Sequence, residues 1–163
     1  MRVFGWLFLM APLCLFAQKV HTEFDETVTF SQYKTFAIRE GQLNSRNPAL
    51  NNELVRKKID AELRRRLTEK GLVEVTEKPD LNVRYSLGAA NHREVDVYPY
   101  GWGARRYVIH YTEGTLIIDL RDPKRKALVW RTITTEDKDT GAKVADHLPD
   151  MVKKAIEKYP PHK

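Results

Sequence analysis

Three segments alternate apolar and polar residues strictly enough to dictate a sheet. Leu81, Val83, Tyr85 and Leu87 fall on one side of residues 81–87, and Asn82, Arg84 and Ser86 on the other. Successive strand side chains point to opposite faces, so this spacing belongs to a strand with one buried face. Residues 108–122 place Leu116, Ile118 and Leu120 on one face, and Thr115, Ile117, Asp119 and Arg121 on the other. Asp122-Pro123-Lys124-Arg125-Lys126 then reads as a hairpin turn, with Pro pre-set for its second position. Residues 127–135 return as the partner strand, with Trp130 expected in the core. A shorter alternation, Val20-His21-Thr22-Glu23-Phe24, predicts a further strand. Lys34-Thr35-Phe36-Ala37-Ile38 and Leu72-Val73-Glu74-Val75 predict two more. Residues 39–46 are mostly polar and read as a loop.

Two stretches switch to helical spacing. Asn47-Pro48 is an expected helix start, Asn as cap and Pro at the first helical position. From residue 48 to 70, Leu54, Val55, Ile59, Leu63 and Leu67 form one apolar stripe, and Gly71 supplies the stop. Near the end of the chain, Leu148, Met151, Val152, Ala155, Ile156 and Tyr159 form a second stripe. Lys153, Lys154 and Lys158 complement that helix's dipole, and Pro160-Pro161 ends it. Two amphipathic helices and a mainly antiparallel sheet predict an α+β two-layer sandwich, with both helices on one face. The other sheet face is then left partly exposed.

Residues 1–17 stand apart from this pattern. Arg2 precedes an uncharged apolar run, 3–17, ending in Ala17. A basic start, a short apolar core and a small residue at its end describe a secretory signal peptide. The run is shorter than the ~20 apolar residues of a membrane-spanning helix. The expected mature chain is residues 18–163, one globular domain, periplasmic or secreted, with no transmembrane segment after cleavage. The single cysteine, Cys14, lies in the leader. A mature chain without cysteine excludes disulfides, cysteine zinc sites and thiol catalysis. Ala11-Pro12-Leu13 before Cys14 is a poor context for lipid attachment, which disfavours an outer-membrane lipoprotein. The net charge of +6 is diffuse. Outside the cytoplasm it points to anionic envelope components and not to nucleic acid.

Several segments carry a resemblance across the whole mature chain. They are Phe24-Asp25 with Phe30-Ser31-Gln32-Tyr33-Lys34-Thr35-Phe36, then Lys70-Gly71-Leu72 and Pro79-Asp80-Leu81-Asn82-Val83. They continue in residues 113–120, Leu128-Val129-Trp130-Arg131 and Tyr159-Pro160-Pro161. In order and spacing the set resembles the bacterial envelope family known as domain of unknown function 4136. That resemblance implies an exported, lipoprotein-like protein with no established activity, cofactor or catalytic residue. The chain departs from the pattern at Cys14.

Candidate chemistry is sparse. His92, Glu94 and Asp96 alternate and would share a strand face, but a flat strand lacks the closure a divalent cation needs. No metal and no cofactor is expected. Glu113, Asp119, Asp122 and His110 lie along one hairpin arm. Asp119 and Arg121 there fit cross-strand partners better than an acid–base pair. No nucleophile elbow, zinc-helix motif or phosphate-cradling glycine loop occurs. The segment 98–107 is expected to be an aromatic, glycine-bearing loop. Its Tyr98, Tyr100, Trp102, Arg105, Arg106 and Tyr107 are the expected partner-binding residues, suited to an envelope protein or an anionic envelope component. The expected function is a non-enzymatic binding or assembly module of the envelope. The alternatives are an exported hydrolase with an unrecognised site, or a carrier or sensor of anionic envelope lipids.

Overall fold

A computed structural model describes residues 19–39, 41–100 and 103–161. The leader and its Ala17 junction lie outside these residues. Seven strands and two helices follow in the order β1 (Lys19–Phe24), β2 (Thr35–Ile38), β3 (Gln42–Leu43), α1 (Glu53–Glu69), β4 (Val73–Glu74), β5 (Leu81–Tyr100), β6 (Gly103–Asp122), β7 (Ala127–Lys138) and α2 (Gly141–Glu157). They form one sheet of order β1-β7-β6-β5-β2-β4, with β3 also on β5. The pairs β1–β7, β7–β6 and β6–β5 are antiparallel. β2 runs parallel to β5 and β4, and β3 runs parallel to β5.

The alternation read from the sequence sets which face is buried. Leu81, Val83, Tyr85 and Leu87, with Leu116, Ile118, Leu120 and Trp130, are buried under the helices. Val55, Ile59, Leu63 and Leu67 of α1 and Val144, Leu148, Met151, Val152, Ala155 and Ile156 of α2 close the core from above. Both helices lie on this one face. Trp130 is fully buried, its ring edge-to-face with Tyr159 at 5.8 Å. Val144 of α2 sits so close to Gly114 that a Cβ there would come within 2.4 Å of its Cγ1. That glycine admits the helix.

α1 departs from expectation at its start. Asn52, not Asn47, is the cap, its Oδ1 accepting the Val55 N–H at 3.0 Å. Asn47 is used in a turn of its own, accepting the Ala49 N–H at 3.0 Å, and Leu50 is fully buried just after it. The anchored turn delays the helix to Glu53. Leu54 consequently points outward, 76% exposed, and does not belong to the core stripe. The end is as expected: Gly71 has φ of +86°, Leu72 donates to Leu67 O at 3.1 Å and Gly71 to Thr68 O at 2.9 Å. That paired bonding is the Schellman closure.

α2 contains Pro149, which has no N–H for the Ala145 carbonyl. Lys58 of α1 fills the gap, its Nζ donating to Ala145 O at 3.0 Å. One long side chain thus completes the other helix's bonding and ties the pair together.

Two further expectations change. The segment 39–46 is not all loop, because Gln42 and Leu43 pair with Ser86 and Leu87 as β3. The segment 98–107 is not a loop either: β5 runs to Tyr100 and β6 starts at Gly103, with Tyr98 opposite Arg105 and Tyr100 opposite Gly103. Tyrosine and valine in this stretch favour extended backbone, and ladder hydrogen bonds form regardless of the side-chain pattern. β7 reaches β6 only as far as Thr112, and β3 reaches β5 only as far as Leu87. Residues 92–100 and 103–111 therefore pair only with each other, a two-stranded ribbon roughly 30 Å long at ~3.3 Å per residue.

Candidate functional site

The face of the sheet opposite the helices is the candidate site. Side chains that alternate away from the core stand there in two rows. In the first, Glu23 of β1 lies opposite Arg131 of β7, Arg131 opposite Asp119 of β6, and Asp119 opposite Arg84 of β5. In the second, Arg121 of β6 lies opposite Asn82 of β5. Arg39, just past β2, donates from Nε to Asn82 Oδ1 at 2.6 Å. This face bears a hollow of about 390 Å³, lined among others by Arg39, Arg84, Arg121, Arg131, Asp119 and Ser86. Gln42 and Ile117 complete its wall and floor.

The charge in this hollow is unbalanced. Arg131 grips Asp119 with two bonds, Nε to Oδ1 and Nη2 to Oδ2, both 2.7 Å. Its guanidinium is held still more firmly protonated by that carboxylate. Among the described residues Arg84 and Arg121 make no side-chain hydrogen bond or ion pair. Four guanidiniums therefore face one carboxylate, already engaged. Ser86 accepts from Asn44 Nδ2 at 2.9 Å, which leaves its hydroxyl proton to donate into the hollow. Such a surface offers forked N–H donors to an anionic group.

The other sequence candidates separate. Asp119 has the cross-strand role expected for it. Asp122 is buried at the β6–β7 turn, accepting the Tyr33 hydroxyl at 3.0 Å and the N–H groups of Lys124 and Arg125 at 2.8 and 3.0 Å. Its neighbours are the core, so it does not share a site with Asp119. Burial, with the Asp122 hydrogen bond, pushes the Tyr33 phenol above its ordinary value. His110 is exposed on the ribbon. His92 stacks on Tyr111, ring centroids 5.1 Å apart at 16°. The side chains of Glu94 and Asp96 lie outside the described residues. Among the described residues no three His, Cys, Asp or Glu side chains gather as metal ligands.

Of the expected partner-binding residues, Tyr98, Tyr100, Arg105, Arg106 and Tyr107 stand on the two strands at the far end of the ribbon. Their side chains, and Trp102 altogether, lie outside the described residues. The hollow itself escaped sequence reading. Arg84 and Arg121 do occupy outward positions of alternating strands, a legible signal. Arg39 joins them only through the parallel pairing of β2 with β5, and no local pattern announces that pairing.

The family model described as Domain of unknown function (DUF4136) matches residues 20–161. No curated protein sequence matches the chain. Among solved structures, a PDZ domain protein from Parabacteroides distasonis is 19% identical with a TM-score of 0.62. That match covers 90% of this chain but only 37% of the larger protein. A DUF4136 family protein from Bacteroides thetaiotaomicron is 14% identical with a TM-score of 0.59, over 88% of this chain and 96% of that one. A PelC dodecamer from Paraburkholderia phytofirmans is 11% identical with a TM-score of 0.53, over 90% and 100%. At these identities the likeness is one of fold alone.

Proposed function

Because the chain belongs to the family of the domain of unknown function DUF4136, we propose that it is an exported domain of the bacterial envelope that works by binding and not by catalysis. The observation that carries this reading is the sheet face the helices leave uncovered. It presents arginine forks around a hollow of about 390 Å³, a size within the range of small-ligand sites. The apolar leader of residues 3–17, with Arg2 before it, supports export. No described helix is long and apolar enough to cross a membrane. A second contact is proposed for the end of the ribbon, whose strands carry Tyr98, Tyr100, Arg105, Arg106 and Tyr107; with Trp102 of the same stretch of sequence, these residue types suit the gripping of a partner surface.

The test uses the full chain, leader included, produced in a bacterial host. Intact mass of the exported product is expected to begin at Gln18 with no lipid. The purified product is then sedimented with washed envelope fragments, and salt-sensitive co-sedimentation is expected. Replacing Trp102 and Arg105 with alanine is expected to weaken it. Retention of Met1 in the cytoplasm, or no association with the fragments at any salt, overturns the reading.

A further inference from the structure

We propose that the hollow on the open sheet face binds an anionic sugar, a ring carrying a phosphate or carboxylate group. This rests on the reading of the domain as a binding module and names what one of its surfaces holds. Arg84 lies opposite Asp119, and Arg121 two residues further along the same strand, so the two arginines are diagonal neighbours on one face. Such positions stand about 7–8 Å apart, within reach of long side chains that converge on one group. Arg39 enters from just past the end of β2, fixed by its 2.6 Å bond to Asn82, with its terminal N–H groups unspent on any described partner. Arg131 is already neutralised by Asp119, so it forms wall and not bait. With the one described carboxylate of the lining bonded to Arg131, the positive charge of three guanidiniums is left in excess in the concavity. One bound anion relieves their mutual repulsion and takes bidentate bonds from them.

The rest of the lining selects a sugar over a bare anion. Gln42 and the Ser86 hydroxyl are neutral hydrogen-bonding groups set beside the arginines, the kind that read ring hydroxyls. Half-buried Ile117 gives the hollow an apolar floor for a C–H face of the ring. A flat lipid surface would call instead for exposed apolar side chains at the rim, and Ile117 is the lone apolar side chain among the lining residues apart from the ring of buried Tyr85.

The experiment titrates the mature chain, residues 18–163, with galacturonic acid, glucose 6-phosphate, glucose, inorganic phosphate and phosphatidylglycerol vesicles, reading backbone amide shifts by NMR. Saturable shifts at Arg84, Ser86, Ile117 and Arg121 are expected with at least one of the two sugar anions. Glucose and inorganic phosphate are expected to bind at least about tenfold more weakly. Preference for galacturonic acid assigns a uronate-bearing glycan as the source, and preference for glucose 6-phosphate a phosphorylated one. Arg84→Gln and Arg121→Gln are each expected to weaken binding about tenfold, the size of one charge-assisted hydrogen bond. Both positions are solvent-facing, and an unchanged amide spectrum away from the hollow confirms the fold. Arg125→Gln, at the exposed β6–β7 turn, is expected to change nothing. Sugar anions binding no better than inorganic phosphate, shifts centred elsewhere, or full binding by a variant carrying both Arg84→Gln and Arg121→Gln overturns the inference. So does binding to vesicles alone. If the chain still associates with envelope fragments in any of these cases, the hollow is wrongly assigned and the binding module stands. If that association is also absent, both fall.

Discussion

Arg131 and Asp119 face each other across β7 and β6 and share two parallel hydrogen bonds of 2.7 Å each. The pair is only partly shielded, with the Arg131 side chain 37% exposed. Its contribution to stability is therefore small, but it decides which arginines of the open face remain available. Asp119→Asn is expected to cost less than about 1 kcal/mol in urea melts. It also removes the only carboxylate among the described residues lining the hollow and should tighten salt-sensitive binding of galacturonic acid or glucose 6-phosphate a few-fold. A catalytic Asp119 would show loss and not gain, so the direction of the change separates the two roles.

The α1 stripe predicts a contrast between neighbours. Leu63 is fully buried and Leu54 is 76% exposed. Leu63→Ala is expected to lower stability by ~2–5 kcal/mol through lost burial and the cavity left behind. Leu54→Ala is expected to stay within about 0.5 kcal/mol. Urea denaturation of both variants checks this, and equal losses would place Leu54 back in the core.

Lys58 and Pro149 predict a coupled pair. Lys58→Met leaves the carbonyl of buried Ala145 without the ammonium that now satisfies it. A cost of about 1–3 kcal/mol is expected. Pro149→Ala restores an N–H to the helix and should recover part of that loss in the double variant. A thermodynamic cycle over the four proteins measures the coupling. Strict additivity would mean that the Lys58 bond contributes nothing.

Asp80 predicts an acid limb. The Lys34 N–H at 3.1 Å, with help from Thr35 and Lys124, holds its carboxyl below the usual aspartate range. A folded pKa below the unfolded one contributes stability above about pH 4, lost as pH falls through the folded value. Asp80→Asn is expected to lower stability at pH 7 by about 1–2 kcal/mol. The difference should shrink as pH falls below about 4 and vanish once the folded-state carboxyl is protonated. Denaturation midpoints at pH 7, 4 and 2.5 check this, and a constant difference across that range would contradict it.

The chain alone determined the layers. Period-two alternation in residues 81–87 and 108–122 named the buried face, and 55, 59, 63 and 67 named the packing side of α1. Those signals are local: a residue's neighbours two or four positions away settle which side it faces. Tertiary structure decided the rest. Asn47 carries the cap chemistry, yet the burial of Leu50 and the packing of its amide against Gly141 hold it in a turn, and α1 waits for Asn52. Of the apparent loop, residues 98–100 and 103–107 became paired strands because ladder bonds between partner strands need no side-chain alternation. The hollow required Arg84 and Arg121 from two strands and Arg39 from the end of a third, which is joined in parallel through a long crossover. Parallel partners lie far apart in sequence and share no turn, so nothing local records that they meet. The faces of each strand follow from covalent geometry, whereas which strands become neighbours follows from burying the whole core at once.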